Sequence, residues 1–221
     1  VGRVAGTFAR NYVSHFDPRF LVVSGDANLR HSPRGVGQLN WAEFAFFCVG
    51  LTVAIARRGK HLVPLGWMLI AFVPGSLTND NVPNALRAIG ALPAVQLIAA
   101  LGLVRLLGRA RPVALAVIAV GLVGSALHFH GYFTRYKVEA APWWSYGYRE
   151  TIARCEELAD GYRGIVIVAP DREFMETYAT NPYVYAFPLF YTRFDPAALH
   201  RTGQPGKYAV VNALESRPVE D

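Results

Sequence analysis

The chain contains little charge and almost no cysteine. Only 17% of its 221 residues are charged and 52% are hydrophobic, whereas about 25% of residues are charged in a typical soluble domain. The two cysteines are Cys48, inside an apolar run, and Cys155, in an acidic part of the sequence. Two cysteines so placed predict neither a disulfide framework nor a zinc site. We also expect no signal peptide, because the opening residues are polar and aromatic and include no apolar core segment.

Basic residues are in excess, but their distribution is not that of a nucleic-acid-binding protein. Residues 1–137 contain 14 Lys or Arg and 4 Asp or Glu, a net charge of +10, whereas residues 138–221 contain 8 and 12, a net charge of −4. The arginines are scattered between apolar runs, without a basic stripe or an RNA-binding signature. We therefore expect no nucleic-acid partner, and we interpret the change in charge as a change of domain or compartment.

Four apolar runs in residues 41–130 predict a membrane region. They cover residues 41–56, 62–79, 84–104 and 112–130. Each is near the lower limit of about 20 residues needed to cross a hydrocarbon core of about 30 Å. A soluble helical bundle is the alternative, but soluble helices have a polar face and these runs are nearly bare of charge. Pro64 and Pro74 predict a kink or an early end in the second run.

The loops between the runs predict an orientation. Basic residues collect between the first and second runs and between the third and fourth: Arg57, Arg58 and Lys60, then Arg105, Arg109 and Arg111. Because positive loops stay cytoplasmic, residues 1–40, residues 76–86 and everything after about residue 131 are predicted to face outward. An outward N-terminal segment without a signal needs an earlier membrane segment, so we expect the chain to be part of a longer protein.

Two polar regions flank the predicted membrane region of residues 41–130. In residues 1–40 an apolar residue recurs every fourth position, at Val4, Phe8, Tyr12 and Phe16. This spacing predicts a short amphipathic helix, which would lie on a membrane surface or pack on another domain. A loop rich in turn-forming residues follows this helix.

Residues 131–221 begin with a belt of Trp and Tyr, which favour the headgroup layer of a membrane. The pattern then predicts a helix at 148–160, a buried strand at 164–169, a helix at 182–191 and a second strand at 207–212. These elements indicate a small extracytoplasmic α/β domain. The predicted fold is therefore mainly α, with about four transmembrane helices followed by this domain.

Arg87 is the strongest candidate for a binding residue. It is the last charge before residues 88–104, which contain no ionisable side chain. An arginine at this position is costly unless it snorkels or has an anionic partner. A guanidinium beside loop polar groups at a helix N-terminus suits a phosphate, so Arg87, Asn84 and Thr78 are predicted to bind one. The alternative is that Arg87 snorkels to lipid headgroups or pairs with Asp80.

Two further clusters are candidates. Asp26, Asn28, Arg30 and His31 lie in the outward loop, where they would contact a sugar or a pyrophosphate, or else form a solvated loop with an Asp26–Arg30 pair. His128 and His130 are two residues apart and fall on different helix faces, so they do not predict a shared metal ion. We assign no metal site.

Several segments resemble bacterial GT-C glycosyltransferases, the integral membrane enzymes similar to protein O-mannosyltransferases and aminoarabinose transferases. The resemblance covers nearly the whole chain and lies in four stretches: SHFDPRFLVVSGDANLRHSPRGVGQLNWAE, PGSLTNDNVPNALRAIGALP, YFTRYKVEAAPWWSYGYRE and PYVYAFPLFYTRFDP. The second stretch is similar to the pattern SLT…PHALR..GALP of that group. Asn84 stands where the pattern has histidine.

The resemblance implies transfer of a sugar from a polyprenyl-phosphate donor to an acceptor on the outer face of the plasma (inner) membrane. Arg87 matches the family arginine and would hold the phosphate, while Asp26, Arg30, His31 and Asp80 would shape the substrate cleft. The family's catalytic acid lies in an earlier outward loop, so we expect it upstream of Val1. The resemblance leaves a divalent cation open as a cofactor and does not identify the acceptor. A non-catalytic membrane protein of envelope polysaccharide machinery, either a transporter segment or an assembly partner, is the alternative.

Overall fold

The fold is taken from a computed structural model, which describes residues 2–169, 184, 186–203 and 206–212. The chain divides into two compact units, Val1–Glu139 and Ala140–Asp221. The described part is mainly helical and contains one small sheet. This confirms the prediction of a mainly α protein.

In residues 2–139, which the structure describes of the first unit, all regular structure is helical. Its helices are α1 (Gly2–Ser14), α2 (Trp41–Arg57), α3 (Val63–Ala71), α4 (Val73–Ser76), α5 (Ala85–Ala88), α6 (Leu92–Arg109), α7 (Arg111–Gly131) and α8 (Lys137–Glu139). Two π-helical turns interrupt this series, at Arg19–Val23 and Tyr132–Tyr136. The core is formed mainly by residues of α2, α3 and α6, including Phe46, Met68 and Ile98.

Helices α2 and α6 pack backbone against backbone. A Cβ atom on Gly50 would lie 1.7 Å from the carbonyl oxygen of Ile98, and one on Gly102 would lie 1.9 Å from that of Phe46. No side chain can occupy such a space, so the interface requires glycine at both positions. Small residues that let two helices approach closely are typical of membrane helix pairs.

Among the described residues, two helical segments are long and apolar enough to cross a membrane: Ala85–Arg109, which runs from α5 through α6, and Arg111–Glu139, which runs from α7 through α8. The prediction of four membrane helices is therefore wrong in number. The first apolar run forms α2, whose 17 residues span about 26 Å, less than a core of about 30 Å.

The second apolar run is divided into short pieces. Its first residue, Leu62, ends a 3₁₀ turn at Gly59–Leu62, and the run then forms the nine residues of α3 and the single turn of α4. Pro64 and Pro74 each lie in the first turn of a helix, where proline is tolerated because its missing N–H has no helical partner. The nine residues of α3 span only about 14 Å.

Helix α1 confirms the amphipathic helix predicted at the N-terminus. Its aromatic rings stack in sequence, with ring centroids 5.9 Å apart for Phe8 and Tyr12 and 5.5 Å apart for Tyr12 and Phe16. The Tyr12 hydroxyl donates a hydrogen bond to the carbonyl of Leu69, at 2.8 Å, and Phe16 packs against Phe72. The C-terminal half of α1 therefore packs on protein, whereas Val4 is 74% exposed.

The second unit contains α9 (Tyr148–Leu158), α10 (Ala186–Tyr191), α11 (Pro196–Thr202) and two parallel strands, β1 (Ile165–Ala169) and β2 (Tyr208–Asn212). The strands pair in register from Ile165 with Tyr208 to Ala169 with Asn212. The helix at 148–160 and the two strands are thus confirmed, while the start of the helix predicted at residue 182 lies outside the described residues. Strand β1 is not buried as predicted, because Val166 and Val168 are 61% and 52% exposed. Side chains alternate between the two faces of a strand, and these two share the exposed face.

Candidate anion-binding site

Arg87 is held at the start of the first membrane-length segment. Its Nη1 donates to the hydroxyl of Thr78, at 2.8 Å, and to the carbonyl oxygen of Asp80, at 2.7 Å. The contact between Nη2 and the Asp80 carboxylate is long, 3.4 Å, and the Asp80 side chain is 87% exposed. Neutral oxygens therefore fix the guanidinium, and an exposed, long ion pair of this kind contributes at most about 1 kcal/mol.

The guanidinium keeps capacity for another partner. Arginine has five N–H donors, of which Nη1 uses two and Nη2 makes one long contact. The other two have no hydrogen-bond partner among the described residues. The Arg87 side chain is 35% exposed, so an anion could reach it without displacing the bonds that orient it.

Asn84 has a structural role in this arrangement. Its side-chain oxygen accepts a hydrogen bond from the backbone N–H of Arg87, at 2.8 Å, and caps α5. The residue is only 4% exposed. Asn84 and Thr78 therefore position Arg87, and the Asn84 oxygen is directed to the backbone. Helix α5 is a single turn, so the fork of Arg87, not a long helix dipole, is what favours an anion here.

Asp26 ties two distant loops together. Its carboxylate accepts hydrogen bonds from the backbone of Asn28, at 2.8 Å, and of Ala85, at 2.7 Å. It also accepts one from the side chain of Asn81, at 2.9 Å, and lies 2.9 Å from Nδ1 of His31. The Asp26 side chain is fully buried, so its predicted contact with a substrate has no geometric support. It instead fixes the loop that precedes Arg87.

Asn11 and His15 belong to the same network, although the sequence did not suggest a role for them. The Asn11 carboxamide donates to the carbonyl of Thr78, at 2.8 Å, and to the side-chain oxygen of Asn79, at 3.2 Å. It thereby holds the residue that orients Arg87. The available signal was the spacing of Asn11 and His15, which places two polar residues four apart on one face of an aromatic helix.

His15 is buried completely beneath the Arg87 loop. Its ring stacks on Phe72 with centroids 5.3 Å apart, and its Nδ1 lies 2.9 Å from the carbonyl oxygen of Asn11. Because a carbonyl only accepts, Nδ1 carries the proton. Desolvation lowers the pKa of His15, although hydrogen bonds to the backbone and the charge of Asp26 oppose this in part. The ring is therefore a neutral packing element at pH 7.

Arg30 and His31 line a cavity of about 360 Å³ beside the start of the same segment. Its other walls are mainly apolar and include Phe20, Leu39, Phe72, Leu86, Ile89 and Leu92. Leu86 and Ile89 are each about 60% exposed. The cavity is thus an apolar groove with a basic edge, and it begins at the residue next to Arg87. Arg87 and Asp80 are not among its lining residues.

The divalent cation that the family resemblance left open stays a prediction, and the described residues give it no ligand set. Among them, no group of three or more His, Cys, Asp or Glu side chains lies close enough to hold a metal ion. The Asp26 carboxylate is surrounded by N–H donors, which repel a cation. Asp80 is exposed and lies beside a guanidinium.

No protein-family model matches this chain, and the comparisons with curated proteins and with solved structures found no match. The functional assignment therefore depends on the geometry of the described residues.

Proposed function

We propose that this chain is the C-terminal part of an integral membrane glycosyltransferase that uses a polyprenyl-phosphate-linked sugar, and that Arg87 binds the phosphate of this donor. The observation that carries the proposal is the guanidinium of Arg87. It is oriented by Thr78 and the Asp80 carbonyl, it is not neutralised by a close carboxylate, and it lies at the start of a membrane-length apolar segment.

The apolar groove supports the same proposal. A lipid-linked donor needs a charged site for its phosphate and an apolar surface for its chain. The groove offers the second, with Leu86, Ile89 and Leu92 on its walls and Arg30 and His31 at its edge. In this proposal the two basic residues face the sugar-phosphate end of the donor, and Asp26 holds both their loop and the Arg87 loop in place.

The role proposed for this chain is to bind the donor, and the family resemblance implies that the catalytic acid lies in another outward loop. Arg87 would stabilise the negative charge that develops on the leaving phosphate, because a fixed donor strengthens its interaction as that charge grows. Under the proposal the protein is located in the plasma (inner) membrane, with its C-terminal unit outside.

The test is donor binding by the chain in phosphatidylcholine nanodiscs. Arg87→Ala should weaken binding of a polyprenyl phosphate at least tenfold, and Arg87→Lys should restore part of it because a point charge replaces the fork. Arg109→Ala is the matched control, since Arg109 is exposed at the other end of the same helical segment. Equal binding by Arg87→Ala and the wild type would refute the assignment of Arg87.

If the wild-type chain binds no polyprenyl phosphate, the alternative of a non-catalytic membrane partner becomes the better interpretation. One observation favours that alternative. Helix α7 leaves large apolar side chains exposed along its length, including Leu122, Leu127 and Phe129, and such a surface suits either lipid or another membrane protein.

A further inference from the structure

Helix α1 packs on the protein along only part of its length. Its C-terminal half contacts α3, where the Tyr12 hydroxyl donates a hydrogen bond to the Leu69 carbonyl at 2.8 Å. Towards the N-terminus the helix loses its neighbours. Residues 2–6 are all exposed, and Val4 is 74% exposed. The N-terminal half of α1 therefore projects beyond the part of the protein on which the helix packs.

The projecting half continues an apolar face. Val4 and Phe8 repeat the four-residue spacing that leads to Tyr12, so the three side chains lie on one face of the helix. Other apolar side chains near the end of α3 are also exposed, with Ile70 and Leu77 each 72% exposed. Leu77 lies in the loop that leads into the first membrane-length segment. The exposed apolar surface thus lies at the level where a membrane begins, and the boundary of a bilayer covers an amphipathic helix of this kind.

The charge on α1 identifies the kind of membrane surface. The helix contains two arginines, Arg3 and Arg10, and no acidic residue. They are about two helical turns apart and so lie on the same side of the helix. Both are exposed, and neither forms an ion pair or a hydrogen bond with a described residue. Two unpaired cations beside an exposed apolar face match an anionic lipid surface, where each basic residue strengthens attachment about fivefold.

The same helix holds the loop of the candidate anion-binding site. Asn11, the neighbour of Arg10, is only 6% exposed. Its carboxamide donates to the carbonyl oxygen of Thr78 at 2.8 Å, and the Thr78 hydroxyl accepts a hydrogen bond from Nη1 of Arg87, also at 2.8 Å. The side chains that face solvent and the side chain that holds the loop therefore belong to one short helix. Fixing the position of α1 fixes the group that orients the guanidinium.

We propose that α1 docks on anionic phospholipid through Arg3 and Arg10, and that this docking stabilises the loop of Thr78 and Arg87. The docking is independent of the function proposed above, whereas its effect on donor binding rests on that function. Anionic lipid is then a positive effector, because it favours the arrangement of α1 in which the donor site is complete.

Hydrogen exchange measured by mass spectrometry tests the docking. The chain is placed in nanodiscs of phosphatidylcholine alone and in nanodiscs that also contain phosphatidylglycerol. Residues 2–10 and the loop of residues 77–81 should both exchange more slowly in the discs that contain phosphatidylglycerol. Equal exchange in the two kinds of disc overturns the proposal. Strong protection of residues 2–10 in both kinds also overturns it, because protein would then cover the helix.

A pair of substitutions tests the role of charge. Arg3→Gln combined with Arg10→Gln should abolish the lipid-dependent protection of both segments, and it should leave the fold intact because both side chains are exposed. The matched control is Arg34→Gln combined with Arg135→Gln, which removes two exposed arginines of the same unit outside α1. This control should retain the protection. An equal loss with the two pairs would show that net charge, and not α1, attracts the lipid, and would contradict the proposal.

Asn11→Leu separates docking from coupling. Residues 2–10 should still be protected by phosphatidylglycerol, whereas the loop should lose its lipid-dependent protection, because leucine cannot donate to the Thr78 carbonyl. Unchanged protection of the loop in this variant would refute the coupling through Asn11. If Asn11→Leu does not fold, the variant without Arg3 and Arg10 still tests the coupling, since loop exchange is measured in it without any change to the buried network.

Donor binding provides the final measurement. In nanodiscs of one phosphatidylglycerol content, the variant without Arg3 and Arg10 should bind polyprenyl phosphate at least about fivefold more weakly than the wild type, which is the lower end of typical coupling factors. The control pair should bind it equally well. Failure of the wild type to bind polyprenyl phosphate would refute the proposed function alone, because the exchange measurements use no donor. Equal donor binding by both variants and the wild type would refute the effect of lipid on the donor site.

Discussion

The two membrane-length segments have nearly the same hydropathy but very different surroundings. The mean hydropathy of the most apolar window is 1.8 in Ala85–Arg109 and 2.0 in Arg111–Glu139, whereas 33% of the first window and only 6% of the second is buried within the chain. Ile98 in α6 is fully buried, whereas Leu122 in α7 is 67% exposed. Hydropathy therefore does not decide which segment packs on protein.

The difference in burial between the two segments arises from the positions at which their glycines contact a neighbouring helix. Gly102 of α6 lies against Gly50 of α2, and the two backbones touch at that level. Helix α7 has a comparable contact at Gly121, but its neighbour there is the side chain of Ala42. One glycine admits a local contact, whereas a facing pair brings two helix backbones together. The facing pair thus makes α6 part of the core and leaves α7 for lipid or another partner.

The largest predicted effect comes from placing a side chain at the contact between Gly50 and Gly102, and it tests the contrast between the packed helix α6 and the exposed helix α7. Gly102→Leu should destabilise the fold by about 3 kcal/mol or more, because overpacking already costs about 1–3 kcal/mol where only side chains must move and here the obstacle is the backbone of Phe46. The thermal midpoint in detergent and the yield of monodisperse protein measure it.

Two controls make that result specific. The controls are Gly108→Leu, on the same helix as Gly102, and Gly124→Leu, on α7. A Cβ atom at either position would have no neighbour within 4 Å. Both should change the thermal midpoint little. A loss with Gly124→Leu as large as that with Gly102→Leu would mean that α7 is packed after all.

The loops also contain a buried and an exposed position that can be compared, at Asp26 and Asp80. Asp26→Asn should cost about 2–3 kcal/mol, since an amide N–H₂ would replace one acceptor in a buried cluster of donors. Asp80→Asn is the matched control, because the Asp80 side chain is 87% exposed and surface changes usually stay within about 0.5 kcal/mol. Chemical denaturation of both variants in the same detergent provides the comparison. Equal stabilities would show that the Asp26 cluster does not hold the two loops.

The smallest predicted effect is a pH dependence from His15. Burial lowers its pKa in the folded protein below the ordinary value of 6.5, so the unfolded chain binds more protons in the interval between the two values. Stability should be full above pH 6.5 and should decline as the pH falls from there through the folded pKa. His15→Phe keeps an aromatic ring against Phe72 and should flatten this decline in a series of thermal melts. An unchanged slope would assign it to other groups.

Local patterns were sufficient to predict several elements. The four-residue spacing of Val4, Phe8, Tyr12 and Phe16 predicted α1, and the β-branched run before Pro170 predicted β1. Local patterns were not sufficient to predict the structure of the second apolar run. The summed hydropathy of residues 62–79 is the same whether or not they form one continuous helix, and the prolines divide the run into short helices. The exposure of Val166 and Val168 was also missed, since a β-branched strand has the same composition whether one or both faces are covered.

The sequence by itself determined that the chain is mainly helical, that its charge divides near residue 137, and that Arg87 precedes a long uncharged stretch. These properties follow from composition and from spacing over a few residues. Only the tertiary structure decided that Asp26 is buried, that Asn11 holds the loop of Thr78, and that α7 stays exposed while α6 packs. Each of these features depends on which segments contact one another. Several of the contacts join residues more than 50 positions apart in the sequence, and such pairings arise only once the helices have packed.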